Sequence, residues 1–242
     1  MLGLPKYLIS FSSAKIDKSN AANNGYKTGI LYMTPTRKTC PFASVGCWSV
    51  CLKSAGRGRF DNVKKARAQR VALYQKDRAE FDRRERHELK LFSRRCAKVG
   101  KVGAYRPGGL DDTGRGTVLS REFTEIQFYD YTKDPDRFAY VMTRRPAFAG
   151  YHLTFSYSGD NWTACKEALK VGNVAVVFRG LVPTRWNGLP VYNGELSDLR
   201  FLDPAKGYII GLTAKGDAKK DASGFVVDAP DRGIDSDFYA KK

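Results

Sequence analysis

Apolar residues recur in short runs along the second half of the chain, at residues 102–106 (VGAYR), 126–131 (IQFYDY), 151–157 (YHLTFSY), 174–179 (VAVVFR) and 208–212 (YIIGL). Helical spacing or helix-start residues lie between these runs. One such segment is near 118–123, one is opened by Asp134-Pro135, one is capped by Asn161 and reaches about Val171, and a short one lies around 195–202. An earlier apolar run, 28–33 (TGILYM), ends at Pro35 and brings the number of strands to six. Strands that are apolar on both parities and alternate with helices predict a parallel sheet covered by helices. The expected fold class is α/β, a partial (β/α)6 barrel of mostly parallel strands with a metal-cluster loop after the first strand. An open doubly wound sheet fits the same alternation.

The remaining segments fill in one domain over 1–242. Residues 7–11 read as a short strand, and 19–25 (SNAANNG) as a loop from their Asn and Gly content. Residues 40–59 form a cysteine loop and 60–100 a basic helical segment. In that segment Asp61 or Asn62 caps a helix with Val63, Ala66, Arg70 and Tyr74 at helical spacing. Asp77 starts a second helix, with Phe81, Leu89, Phe92, Cys96 and Val99 on one face. Residues 101–227 hold the repeating β/α units, with a loop at Pro183, Trp186 and Pro190, and 228–242 are a polar, loosely held tail.

Charge narrows the partners. Lys and Arg number 42 against 25 Asp and Glu, a net of +17. Between Lys53 and Lys101 the count is 17 against 6, so +11 of that excess lies in about a fifth of the chain. A concentration of this kind favours a polyanionic partner, nucleic acid or nucleotide. The anion-binding candidates are Arg57, Arg59, Lys64, Lys65, Arg67 and Arg70, with Lys219 and Lys220 after the last strand. The plainer account of such a run is the solvated face of amphipathic helices. No run approaches the length of a membrane span and no signal peptide is evident, so no membrane partner and a cytoplasmic location are expected.

Chemistry concentrates in the cysteine loop. Cys40, Cys47 and Cys51 follow a C-x6-C-x3-C spacing, while Cys96 and Cys165 fall on helical positions typical of core cysteines. This is no disulfide framework. Three thiolates on one loop suit a [4Fe–4S] cluster with one iron open to another ligand. Zinc is the alternative, completed by His87, His152, Cys96 or Cys165, without finger spacing. In parallel β/α folds ligands bind beyond the carboxyl ends of the strands. Those ends carry Gly108, Gly109, Asp111 and Asp112, then Asp130, Ser156, Arg179 and Lys215, which are the cofactor-binding candidates. Asp111, Asp112, Asp130 and Asp160 also allow a divalent-metal site for phosphodiester hydrolysis. The chain has no G-x-S-x-G, G-x4-G-K-[ST] or H-E-x-x-H motif.

The cysteine loop with its Ala-Gly-Arg-Gly-Arg end, FYDYTK (128–133), YHLTFS (151–156), NVAVVFR (173–179) and GLTAKG (211–216) resemble a family of bacteriophage proteins, the gene-product-88-like group, over residues 10–227. That resemblance implies a viral origin, hence a host cytoplasm, and no particular activity. More distantly, the chain resembles radical S-adenosylmethionine (SAM) enzymes. This likeness implies a partial six-unit barrel, with a cluster on the loop after the first strand held by Cys40, Cys47 and Cys51. SAM would chelate the open iron, and the turn Gly108-Gly109-Leu110-Asp111 would receive the SAM amino group. The usual motif there is C-x3-C-x2-C with a Gly-Gly-Glu-like turn, so both cysteine gaps are longer here and Asp replaces Glu. Two readings result. One is a radical-SAM-like enzyme acting on a nucleotide or nucleic acid. The other is a non-catalytic, metal-stabilised nucleic-acid-binding protein.

Overall fold

The computed structural model of the chain describes residues 3–21 and 25–229. In chain order the elements are β1 (Ile9–Ser10), α1 (Ala14–Ala21), β2 (Tyr26–Leu31), α2 (Val45–Ser49), α3 (Asp61–Lys76), α4 (Arg78–Ala97), β3 (Val102–Arg106) and α5 (Gly116–Glu122). They continue with β4 (Ile126–Thr132), α6 (Pro135–Thr143), β5 (Tyr151–Ser156), α7 (Trp162–Leu169), β6 (Val174–Arg179), β7 (Arg185–Trp186), β8 (Leu189–Asn193), β9 (Ile209–Thr213) and β10 (Val226–Asp228).

The six expected strands are β2, β3, β4, β5, β6 and β9, and they lie side by side in that order, each parallel to the next. Strand order that never reverses is not doubly wound. Right-handed crossovers that always step in one direction put their helices on one face of the sheet. The main core follows this rule: Tyr105, Phe128, Leu153, Phe155 and Phe178 pack with Phe81, Leu89, Phe92, Leu119, Phe138 and Cys165 from the helices. The sheet is open. β1 is antiparallel on β2 at one edge, β8 adds parallel to β9, and β7 closes a hairpin at the other.

Three strands, β7, β8 and β10, escaped the hydrophobic pattern, whereas β1 falls within the short strand expected at 7–11. β1 and β7 are two residues long. The β7–β8 hairpin turns through Asn187-Gly188, both at positive φ (51° and 78°), a conformation this dipeptide favours. β10 pairs with β6 at Val226↔Val177 through Asp228↔Arg179, beyond the point where β5 stops pairing at Ser156↔Ala175. It thus takes up bonds on the part of β6 that lies beyond the end of β5.

Several local expectations are corrected. Residues 19–21 belong to α1, not to a loop. Phe60, not Asp61 or Asn62, precedes α3, whereas Asp77 caps α4 by accepting from the Glu80 N–H at 3.0 Å. Asn161 stands at the N-cap of α7 as expected, but its side chain makes no cap bond to the helix. Its side chain accepts from the Ser158 N–H and donates to the Ser156 carbonyl. The region 195–202 folds only as a 3-10 turn, Arg200–Leu202. Val99 is exposed at the end of the α4 face. Of the tail, residues 230–242 lie outside the described residues.

The face away from the helices is not apolar. Arg106, Tyr129, His152, Thr154 and Ser156 are buried on it, and Arg106 stacks 4.5 Å from the Tyr131 ring. A small cluster of Ala104, Tyr129 and Leu199, with Tyr26 and Phe201, covers part of this face. A turn around Arg200, fully buried and paired to Asp203 at 3.2 Å, fills the space beneath.

Helix α4 meets β3 closely. A Cβ on Gly103 would lie 2.9 Å from Phe92 Cε1. Gly103→Val is therefore expected to lower unfolding free energy by about 1–3 kcal/mol, read by urea denaturation; an unchanged midpoint would show that Phe92 moves aside freely.

Candidate functional site

The chain leaves β2 through a tight turn in which the Cys40 N–H donates to the Thr36 carbonyl at 2.9 Å. Ser44 caps α2 by accepting from the Cys47 N–H at 3.0 Å, and its hydroxyl donates to the Ser158 carbonyl at 2.6 Å. One serine thus shapes the cysteine loop and fastens it to the end of β5. Gly46 fits against Ser223 and Phe225, where a Cβ would fall 2.1 Å from Ser223 Oγ. The segment leading into β10 therefore closes over the loop. At its far end Arg67 donates to the Lys53 carbonyl at 3.1 Å.

The loop walls one side of a cavity of about 440 Å3. Cys40, Cys47 and Cys51 all line it, none in a disulfide, together with Trp48 and Leu52. Gly108, Gly109, Leu110, Asp111 and Asp112 form a second side, and Ser156 and Lys215 contribute from β5 and beyond β9. Burial pushes the Cys40 thiol up to about 12, helped by Asp111, Asp112 and Cys51 and opposed by Lys133. Burial also raises Cys51, with Cys47 adding to it. Protonated Cys40 donates weakly to the Leu110 carbonyl at 3.7 Å. Half-buried Lys133, another lining residue, is held charged against burial by Cys47 and Asp112. Among the described residues, no three His, Cys, Asp or Glu side chains are drawn into a metal-holding group. The thiols share a wall without being closed onto one point.

The Gly-Gly turn is built by close packing. A Cβ on Gly108 would lie 2.8 Å from Asp130 Oδ2, and one on Gly109 would lie 2.5 Å from the Tyr32 ring. The backbone N–H groups are already used: Gly109 donates to the Leu31 carbonyl at 2.8 Å, and Gly108 to Asp130 at 3.1 Å. Asp112 is fixed too. Its N–H donates to the Thr39 carbonyl at 2.7 Å, and its carboxylate accepts from the Lys133 N–H at 2.9 Å and from the Arg137 guanidinium.

Asp111 differs from these. Its Oδ1 accepts from Thr113 at 2.9 Å and from Arg115 at 3.2 Å, while its buried Oδ2 has no partner. Burial raises its pKa, with Arg115 opposing. Arg115 in turn reaches Glu85 at 3.3 Å and the Pro107 carbonyl, under the Tyr74 and Phe81 rings. Neither Arg115 nor Glu85 was marked by the sequence pattern. Nor were Glu195 and Asp198 on the cavity's far wall, where Arg106, at the end of β3, pairs with Asp198 at 3.7 Å and Lys215 with Glu195 at 2.7 Å.

Other expected site residues do other work. Asp130 does not line the cavity. It holds the Gly-Gly turn and accepts from the Tyr131 N–H at 2.9 Å. Arg179 bonds Asp228 at 2.6 Å and the Lys219 and Asp221 carbonyls, so it ties down the chain before β10. Lys219 and Lys220 are exposed outside the cavity. Arg70 donates to the Tyr7 and Tyr32 carbonyls. With Arg67 it is structural, whereas Arg57, Arg59, Lys64 and Lys65 stand exposed. Asp160 is exposed and apart from the cavity, so the four aspartates do not assemble a divalent site. His152 is buried in the sheet, its pKa pushed down to about 4 by burial, while Cys96 and Cys165 lie in the main core. None of these three lines the cavity to complete a zinc site.

A family model described as Gene product 88 matches residues 7–229. The chain belongs to the Gene product 88 family. The match spans the cysteine loop, the sheet and β10. No curated protein and no solved structure matches the chain. No described helix is long and apolar enough to cross a membrane.

Burial raises the Asp130 pKa from 3.8 to about 7, with Arg106 opposing. A carboxyl raised on folding contributes stability that is full below its unfolded pKa and is lost as pH rises through the folded value. Relative to Asp130→Asn, the wild type is therefore expected to lose on the order of a few kcal/mol of unfolding free energy between pH 4 and 8. Urea denaturation of both proteins across that range checks it, and parallel pH profiles would show that Asp130 is not the cause.

Proposed function

We propose that this protein binds a [4Fe–4S] cluster through Cys40, Cys47 and Cys51 and is a radical-SAM-like enzyme acting on a nucleotide or nucleic acid. One observation carries the reading: three free thiols from the loop after the first parallel strand share a cavity with the Gly108–Asp112 turn. The donor set suits iron and sulfide, and three thiolates leave one iron position open. Sequential parallel strands with helices on one face support a partial barrel, in which the cavity lies at the carboxyl ends.

The residue types suit such a group, and the three thiols would have to converge on it from their shared wall. The cysteines would be the ligands, and Lys133 stands beside Cys47 to offset thiolate charge. Asp111 Oδ2 supplies an acceptor for an ammonium group at the turn where the SAM amino group is expected. Both glycine N–H groups are already bonded within the protein, so the turn recognises its ligand through Asp111 rather than through backbone donors. A cluster with bound SAM supplies reductive cleavage to a carbon radical. The protein contributes the walls: Trp48, Leu52, Leu212 and Phe225 restrict water, and the Arg106–Asp198 and Lys215–Glu195 pairs orient what enters.

Anaerobic purification is expected to give a brown protein with about four irons and four sulfides per chain, reduced to background in Cys40→Ser, Cys47→Ser and Cys51→Ser. A colourless protein holding one zinc would overturn the cluster and leave the non-catalytic reading. With the cluster present, dithionite-reduced protein is expected to convert SAM to 5′-deoxyadenosine. Asp111→Asn is expected to weaken SAM binding by about tenfold or more by calorimetry, the size of a lost charge-assisted hydrogen bond. Equal SAM binding by both proteins would remove Asp111 from the site.

A further inference from the structure

The cavity and its rim differ in charge. Inside, Asp111, Asp112, Glu195 and Asp198 face Arg106, Lys133 and Lys215, so the walls are near balance. Outside, residues 37–67 carry eight Lys or Arg and a single Asp. Asp61 is paired with Lys64, while Arg57, Arg59 and Lys65 form no ion pair among the described residues. A polyanion is attracted to the rim, and its charges gain nothing by entering.

The same stretch exposes large apolar side chains. Phe42 is 46% exposed, Val45 79%, Leu52 39% and Phe60 58%. They are interleaved with residues that line the cavity, Cys40, Ala43, Cys47 and Trp48, and Leu52 lines it as well. The Trp48 ring carries the Arg37 guanidinium 4.5 Å from its centroid and the Lys53 ammonium at 5.5 Å. Exposed rings set among unpaired cations bind unpaired bases, because every base offers a face for stacking and every linkage a phosphate. A stacked duplex offers only phosphates to such a surface.

We propose that this rim binds single-stranded nucleic acid, with phosphates on Arg57, Arg59 and Lys65, bases on Phe42 and Phe60, and one uncharged base admitted past Trp48 into the cavity. The entry of a base for reaction rests on the enzyme reading above; the binding surface does not. At the mouth of this cavity the near-balanced walls give a phosphate no net attraction, whereas an uncharged base enters without that cost.

The test is fluorescence anisotropy with a labelled 15-nucleotide single strand and the corresponding duplex, over a range of salt, without SAM. The single strand is expected to bind more tightly than the duplex. Phe42→Ala and Phe60→Ala should each weaken single-strand binding by about tenfold and leave duplex binding unchanged. The paired change Arg57→Glu, Arg59→Glu should flatten the salt dependence of single-strand binding by about one unit or more of log–log slope. These side chains are exposed, and melting curves confirm that the variants fold. Equal or tighter duplex binding would overturn the proposal, as would indifference to both phenylalanines. So would preference for an acidic polypeptide, tested with polyglutamate, which would make the rim a protein-docking surface. Strand binding by a protein that holds no iron would keep this surface and remove the enzyme reading; an iron-loaded protein that binds no strand would do the reverse.

Discussion

Arg115 is buried between Glu85 and Asp111, donates to the Pro107 carbonyl, and lies beneath two aromatic rings. Through it the turn after β3 is anchored to the middle of α4. From that turn the remaining contacts spread: Gly109 to the end of β2, Gly108 to Asp130 on β4, Asp112 to Arg137 on α6, and the Asp112 N–H to the start of the cysteine loop. A buried ion cluster is weak evidence for stability, because desolvation offsets much of the attraction. Its effect here is orientation. One oxygen of Asp111 is held by Thr113 and Arg115, and the other is buried without a partner behind the turn that lines the cavity.

The large charge of the chain and the chemistry of its cavity are separate matters. Seventeen cations fall between Lys53 and Lys101, but most of those on α3 and α4 point to solvent or brace the chain. Arg70 and Arg84 hold the carbonyls of residues 5–7, and Glu88 accepts from the Leu8 and Ile9 N–H groups. Part of the basic segment is thus a clamp on the N-terminal strand. The part of it that adjoins the cavity is the short rim beside the cysteines, which is a smaller surface than the net charge suggests.

The parallel core was legible because its signal is local: apolar runs of five or six residues with start signals such as Asp134-Pro135, whose aspartate does cap α6. The cysteines and the Gly-Gly-Leu-Asp turn were legible as chemistry at strand ends, and the structure brings them to one cavity. What was not legible depends on partners distant in sequence. Glu85 reads as one more charge on a basic helix until Tyr105 and Arg115, 20 and 30 residues away, are seen to bond it. Arg179 reads as a ligand at a strand end until β10, 49 residues on, supplies Asp228. β10 itself is three residues long and pairs with the part of β6 that lies beyond the end of β5. The Asn187-Gly188 hairpin was a local signal, and it was passed over for the prolines around it.

The polar inner face of the sheet extends this point to the site. A strand covered by helices on one side only needs apolar residues at every second position, so β4 and β5 can place Tyr129, Tyr131, His152, Thr154 and Ser156 on the other side without losing the core. His152 Nε2, Thr154 Oγ1 and the Tyr129 hydroxyl have no protein partner there. Buried polar atoms without protein partners are ordinarily satisfied by ordered water. Arg200, which donates to the Gly194 carbonyl at 3.0 Å, and the turn that carries it occupy the space beneath. The same segment continues upward to Asp198 and Glu195 on the cavity's far wall. It is therefore the insertion between β8 and β9, and not the parallel strands alone, that divides this face into a closed polar layer below and an open cavity beside the cysteines.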